Sequence, residues 1–205
     1  MRYEELTEGK NTPCIVVDVQ PEYTGLNDGN ELPWIDEMMA FLNKQTGPIL
    51  MFVNAEDQMM SGDTIDDVNV YWEDSGFDPS NWDRVQVVDK GYGYFRAWMD
   101  SGVPESGIIK TIRAMYQQKI TDSRELFNGE DDENYIENMN QLLGNDDWVS
   151  LYDDGLSVEW TSVGQLKRFS GAYIMGGGRD ECLREVELLM NAFNIKYKRI
   201  EDFVY

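Results

Sequence analysis

The sequence predicts an α/β protein built on a mostly parallel sheet. Short apolar, β-branched runs alternate with segments of helical periodicity, which is the signature of strand–helix–strand units. The runs Cys14 to Val19, Ile49 to Val53 and Tyr173 to Met175 are apolar without the alternation of a half-exposed strand. Such strands belong in a parallel sheet buried on both faces. A Gly-rich break, Gly176-Gly177-Gly178, then joins the last of these runs to a helical one.

Taken in order, Cys14 to Val19 reads as the first strand, with Asp18 near its carboxyl end. Leu32, Ile35, Met38, Met39 and Leu42 recur at helical spacing, and Gly47-Pro48 ends that helix. Ile49 to Val53 is the second strand, and from Asn54 to Trp82 the chain reads as acidic and irregular. Val85 to Val88 forms a third strand running into Asp89-Lys90, and Ile108 to Lys119 a helix. Residues 121–160 interrupt this rhythm. They hold a polar helix around Asn134 to Leu143, then Trp148 to Tyr152 and Leu156 to Trp160 flanking Asp153-Asp154-Gly155, a β-hairpin signal. About 40 residues rarely bury a core alone, so this segment reads as an insertion in one domain spanning 1–205. Ser162 to Phe169 is the next helix, the strand before the glycines follows, and Ile195 to Ile200 supplies the last strand. Leu183, Val186, Leu189, Met190 and Phe193 place Cys182 in the first turn of the helix between those two strands.

Composition narrows the function classes. A net charge of −22 argues against the phosphate backbone of a nucleic acid or an anionic membrane as partner. No run of about 18 apolar residues is present, and Met1 to Leu6 lacks the apolar centre of a signal peptide, so a cytoplasmic location is the expectation. The chain has no histidine. That excludes His-based metal sites, Ser-His-Asp triads and Cys-His dyads within it, and leaves a carboxylate or a lysine to assist any nucleophile. Asp57, Asp63, Asp66 and Asp67, or Glu130 to Glu133, lack the spacing of an EF-hand loop and read as solvated surface. No metal or cofactor is expected. Most of the tryptophans read as packing residues, while Trp98 is close enough to Lys90 in sequence to line a pocket.

Ligands of open α/β sheets bind beyond the carboxyl ends of the strands. Asp18, Lys90 and Cys182 each follow such an end. A helix N-terminus favours an anion, whether a thiolate or an oxyanion on a substrate. The two cysteines should therefore differ: Cys14 opens an apolar strand and should be buried and inert, and Cys182 should be reactive.

At these residues the chain resembles the isochorismatase-like cysteine hydrolases, the family of nicotinamidases, N-carbamoyl amidohydrolases and isochorismatase. Its opening Asp-x-Gln-x-x-Phe is similar to Asp18-Val19-Gln20-Pro21-Glu22-Tyr23, its lysine to Lys90 before Tyr94 and Phe95, and its Gly-x-x-Thr-Asp-x-Cys-Val to Gly176 through Leu183. The resemblance implies a three-layer α/β/α sandwich carrying the inserted helix and hairpin, and a small-molecule substrate. It implies cleavage of a C–N bond in an amide, carbamoyl or ureido compound. Asp18 would be the general base, Lys90 would stabilise the thiolate and position the carboxylate, and Cys182 would be the nucleophile. The backbone N–H groups of Gly178 and Cys182 would form the oxyanion hole, shaped in the family by a cis peptide that would fall here at Gly177-Gly178. Tyr23, Tyr94, Phe95 and Arg179 would contact the substrate. Arg179 replaces a small or hydroxyl residue, and either closes the pocket or binds an anionic group. Glu181 opposes thiolate formation. The absent histidines argue against a metal-bearing nicotinamidase, and the cysteine argues against isochorismatase itself. A homo-oligomer remains open. The competing reading is a non-catalytic binding or assembly protein on the same fold, with the acidic insertion as its contact surface.

Overall fold

A computed structural model of the chain describes residues 6, 11–24, 32–54, 63–90, 95–127, 132–144 and 156–205. The protein is α/β, with five parallel strands in the order β3-β2-β1-β4-β5. In chain order the elements are β1 (Cys14–Val17), α1 (Ile35–Lys44), β2 (Ile49–Val53), α2 (Ile65–Asp74), β3 (Val85–Asp89), α3 (Arg96–Asp100), α4 (Glu105–Gln118), α5 (Asp132–Leu143), α6 (Trp160–Arg168), β4 (Ala172–Gly176), α7 (Cys182–Ala192) and β5 (Tyr197–Val204). Two compact units emerge: residues 1–92, 168–184 and 196–205, which carry the whole sheet, and residues 93–167 with 185–195.

In the first unit the continuous apolar runs become the three inner strands. β1, β2 and β4 are buried at every position, so neither side of the pleat faces water. Burying each such Ile, Val, Met or Phe side chain contributes about 1.5–3 kcal/mol. One alternation (Cys14, Val16, Met51, Met175) joins Met38 and Leu42 of α1 and Trp72 of α2 in a single cluster. α1 forms where Ile35, Met38, Met39 and Leu42 fall on one face, with Asp36 and Glu37 in its first turn and Lys44 in its last, each complementing the helix dipole.

The chain from Asn54 to Trp82 is more ordered than its acidity suggests. Thr64 and Asp67 form a reciprocal capping box that starts α2, and Val68, Tyr71 and Trp72 give that helix its buried face. The Trp72 indole donates to the Val19 carbonyl at 2.8 Å, tying α2 to the chain just after β1. A 3-10 turn over Pro79–Arg84 then leads into β3.

In the second unit, Gly107 lets α4 approach α5: a Cβ there would lie 2.7 Å from the Leu143 carbonyl oxygen. Tyr116, Trp160 and Phe193 pack edge to face, with the Lys167 ammonium 4.6 Å from the Tyr116 ring centre. The polar helix of the 121–160 segment is present as α5. The expected hairpin fares differently. Ser157 makes one antiparallel bridge with Asp122, and Trp160 opens α6 instead of ending a strand. The Trp160 indole satisfies the Ile120 carbonyl at 2.8 Å, an anchor suited to a helix start. Trp148 to Tyr152 and the Asp-Gly turn lie outside the described residues. β5 continues to Val204, four residues beyond the expected Ile200, because Phe203 and Val204 are buried where the alternation of the preceding residues hid them.

Candidate functional site

Asp18 directly follows β1 and takes a left-handed conformation with φ of 51°. Aspartate is one of the few side chains that tolerates this region. Its N–H still continues the ladder, donating to the Phe52 carbonyl at 2.9 Å. Lys90 directly follows β3 and donates its own N–H to the Val53 carbonyl at 2.9 Å. The two side chains meet over the end of β2, which separates their strands. Lys90 Nζ lies 3.1 Å from Asp18 Oδ2, and both side chains are 2% exposed.

Cys182 opens α7, reached from β4 through the three glycines. Gly176 has φ of 112°, and a Cβ there would lie 2.1 Å from the Val17 carbonyl oxygen, so only glycine fits. The Gly177 N–H donates to that same carbonyl at 2.8 Å, pulling the loop onto the end of β1. Cys182 thereby comes beside the Asp18 carboxylate, close enough to lower its pKa. Burial raises the Asp18 pKa, while Lys90 and Cys182 pull it back. In the first unit Asp18 and Lys90 therefore form a buried ion pair, with the partly exposed Cys182 beside the carboxylate.

The glycine loop then tightens into the start of α7. The Glu181 and Leu183 N–H groups turn back to the Gly178 carbonyl at 2.9 and 3.3 Å, and the Gly178 N–H donates to no acceptor among the described residues. The Gly177-Gly178 peptide is trans, not cis as the family resemblance implied. Gly177 has a different reason for being glycine, since a Cβ there would lie 1.7 Å from Tyr205 Cζ.

Tyr205 was not expected here. Its hydroxyl donates to the Asp18 carbonyl at 2.7 Å, and its own carbonyl accepts from the Arg179 N–H at 2.7 Å. Burial, then the nearby Asp18 and Cys182, hold its phenol protonated well above the usual range. Arg179 turns to Glu201 at 2.7 Å, with both side chains more than two-fifths exposed. Tyr23 accepts from Asn54 Nδ2 at 2.8 Å. Partial burial raises the Tyr23 pKa, Asp18 and Cys182 add to the rise, and Asn54 and Lys90 oppose it. Gln20 clamps the neighbouring loop: its Oε1 accepts from the Asn54 N–H at 3.0 Å, and its Nε2 donates to the Asn54 carbonyl at 3.3 Å and to Asp63 at 3.2 Å. Phe95 is buried in the second unit, where its N–H donates to Glu185 at 2.7 Å, and Trp98 is fully buried there too. Tyr94 lies outside the described residues.

Among the described residues no group of three or more His, Cys, Asp or Glu side chains could hold a metal ion. Asp63 and Asp67, two of the carboxylates weighed for calcium, serve the Gln20 loop and the α2 capping box instead. A cavity of about 610 Å³ opens beside α1 and α2, lined in part by Asp36, Asp63, Asp67 and Asp74, and its lining includes neither the thiol nor Lys90. Among the described residues no helix is long and apolar enough to cross a membrane. No family model matches the chain, and no curated protein or solved structure matches it either.

Proposed function

We propose that this protein is a cysteine hydrolase that cleaves the C–N bond of a small amide, carbamoyl or ureido compound, on an isochorismatase-like three-layer sandwich. One observation carries the reading. A thiol at a helix N-terminus lies beside a buried carboxylate that a buried lysine holds in place. A buried ion pair is weak evidence for stability, because the desolvation of both charges offsets most of their attraction. Its position against a thiol gives it a chemical use.

In the proposed reaction Asp18 takes the Cys182 proton, and the sulfur attacks the carbonyl carbon. The carbonyl oxygen becomes an oxyanion facing the N–H groups of Gly178 and Cys182. Asp18 then returns the proton to the leaving nitrogen as the C–N bond breaks, leaving a thioester on Cys182. Water, deprotonated by Asp18, releases the acid and restores the thiol. Burial suits Asp18 to both directions of transfer, since a raised carboxyl pKa approaches the working pH. Lys90 keeps the carboxylate oriented.

The test is ammonia or amine release from a panel of small amides, carbamoyl compounds and ureas, with mass spectrometry of the quenched protein for an acyl adduct on Cys182. Asp18→Asn is expected to lower turnover by about 10²–10⁴-fold, the range of a general base. A second reading, a binding protein on the same fold, draws on Tyr205, whose ring fills the space beside Gly177. No adduct and no turnover with any member of the panel, while Cys182→Ala still binds its ligands, would establish that second reading.

A further inference from the structure

The catalytic reading leaves one buried polar side chain at the same sheet edge unexplained. Asn54 directly follows β2, whose last residue Val53 pairs with Asp89. Along the carboxyl edge the strand order gives Lys90, Asn54 and Asp18 in succession, with the loop to Cys182 next. The Asp18–Lys90 ion pair therefore passes over the strand end from which Asn54 emerges.

Asn54 is 1% exposed. Its backbone N–H and carbonyl are both clamped by the Gln20 carboxamide at 3.0 and 3.3 Å. Its Nδ2 donates to the Tyr23 hydroxyl at 2.8 Å. Its Oδ1 is buried with no hydrogen-bond partner among the described residues. A buried acceptor left unpaired is costly, and natural interiors keep few of them. Here both ends of the residue are held rigidly while its one free group is an acceptor. The Tyr23 hydroxyl proton, beside it, donates to no other group among the described residues.

We propose that Asn54 is a specificity-determining residue of this site, its Oδ1 accepting a hydrogen bond from an N–H of the amide, carbamoyl or ureido group whose carbonyl carbon is presented to Cys182. This assignment rests on the hydrolase reading and deepens it by naming the feature of the substrate that is read. An N–H fulfils the empty acceptor. An ester oxygen or a dialkylated nitrogen leaves it unpaired and adds lone-pair repulsion or bulk. Sites built to hydrogen-bond a substrate group reject analogues that lack it far more strongly than apolar pockets reject a missing methylene.

The experiment follows protection of Cys182 from methyl methanethiolsulfonate, a thiol reagent without an N–H. Benzamide and phenylurea compete in one arm, N,N-dimethylbenzamide and methyl benzoate in the other, each normalised to the uncompeted rate of the same protein. In the wild type the N–H-bearing compounds should protect at concentrations at least about tenfold lower. Asn54→Leu should erase that preference, and Asn54→Asp, which keeps an acceptor, should retain it. If Asn54→Leu does not fold, the wild-type panel and Asn54→Asp decide the matter. Rapid labelling of Cys182 with no preference for N–H donors, or a preference that survives in Asn54→Leu, overturns the assignment of Asn54 and leaves the hydrolase reading standing. Uncompeted labelling of Cys182 no faster than that of Cys14 sinks the hydrolase reading itself.

Discussion

The two ends of β1 place the same chemical element in opposite settings. At the amino end Cys14 is fully buried, with its thiol 3.9 Å from the Thr12 carbonyl and apolar side chains on both sides of the sheet. Burial pushes its pKa up to about 12, with Arg84 opposing. At the carboxyl end Cys182 is partly exposed, opens a helix and lies beside Asp18. Parallel strands explain the difference. Their carboxyl ends are where chains leave into helices, so loops, helix N-termini and polar side chains collect there. A thiol at the other end meets only the packed interior.

The largest expected effect is on thiol chemistry. At pH 7 a thiol of pKa about 12 is ionised to roughly one part in 10⁵, against about one part in 10² for a thiol at the ordinary value of 9.0. Iodoacetamide should therefore modify Cys182 on the order of 10³ times faster than Cys14 in the folded protein. Peptide mapping after timed quenching reads the ratio, and comparable rates would erase the distinction between the two ends.

Next in size is the ion pair. Lys90→Met strands the Asp18 carboxylate in a site where both partners are 2% exposed. Breaking a buried pair from one side costs about 3–5 kcal/mol, so chemical denaturation should show a loss of that order. The double variant Asp18→Asn/Lys90→Met should recover part of it. Lys90→Met should also slow Cys182 labelling, whereas a mutation near Cys14 should not.

The pH dependence sharpens the contrast further. Cys14 holds its proton in the folded chain from its ordinary value of 9.0 up to about 12, where the unfolded chain has released it. Unfolding in that window releases a proton, so stability falls as pH rises through it. Replacing Cys14 by alanine should flatten this alkaline loss. Asp18 has the same sign at acid pH: its folded pKa lies above the unfolded value, so its contribution is fully present below that value and declines as pH rises through the folded one. Denaturation midpoints across both windows, for wild type and Cys14→Ala, check the two slopes.

The smallest effect belongs to Arg179. Its pair with Glu201 is 2.7 Å long but 44% and 41% exposed, and pairs of that kind are worth about 0–1 kcal/mol. Arg179→Ala should shift stability by no more than that. A large loss of substrate binding in the same variant would return Arg179 to the pocket-lining role expected of it.

Much of this was legible in the linear chain. Continuous apolar runs gave the inner strands because a sheet buried on both faces needs no alternation. The glycine break before Cys182 announced a strand-to-helix turn, since Gly176 must adopt a conformation closed to other residues. α2 went unread because its capping box and buried face lie within a dense run of aspartates, and charge density masked the periodicity. Asn54 shows what the eye can still recover. It follows a strand as Asp18 and Lys90 do, at the edge where ligands of open α/β sheets bind.

Other features existed only in three dimensions. Strand order brings residues 18, 54 and 90 into one row, and no spacing along the chain encodes that order. Tyr205 reaches Asp18 across a sequence separation of 187, through the register of β5 against β4. The turn of Arg179 toward Glu201 was settled by tertiary contact as well. The physical reason is common to all of these. Periodicity and propensity are local properties and report which face of an element is apolar. The meeting of two strand ends depends on long-range pairing, whose energy is spread over the whole sheet and leaves no local mark on the residues it brings together.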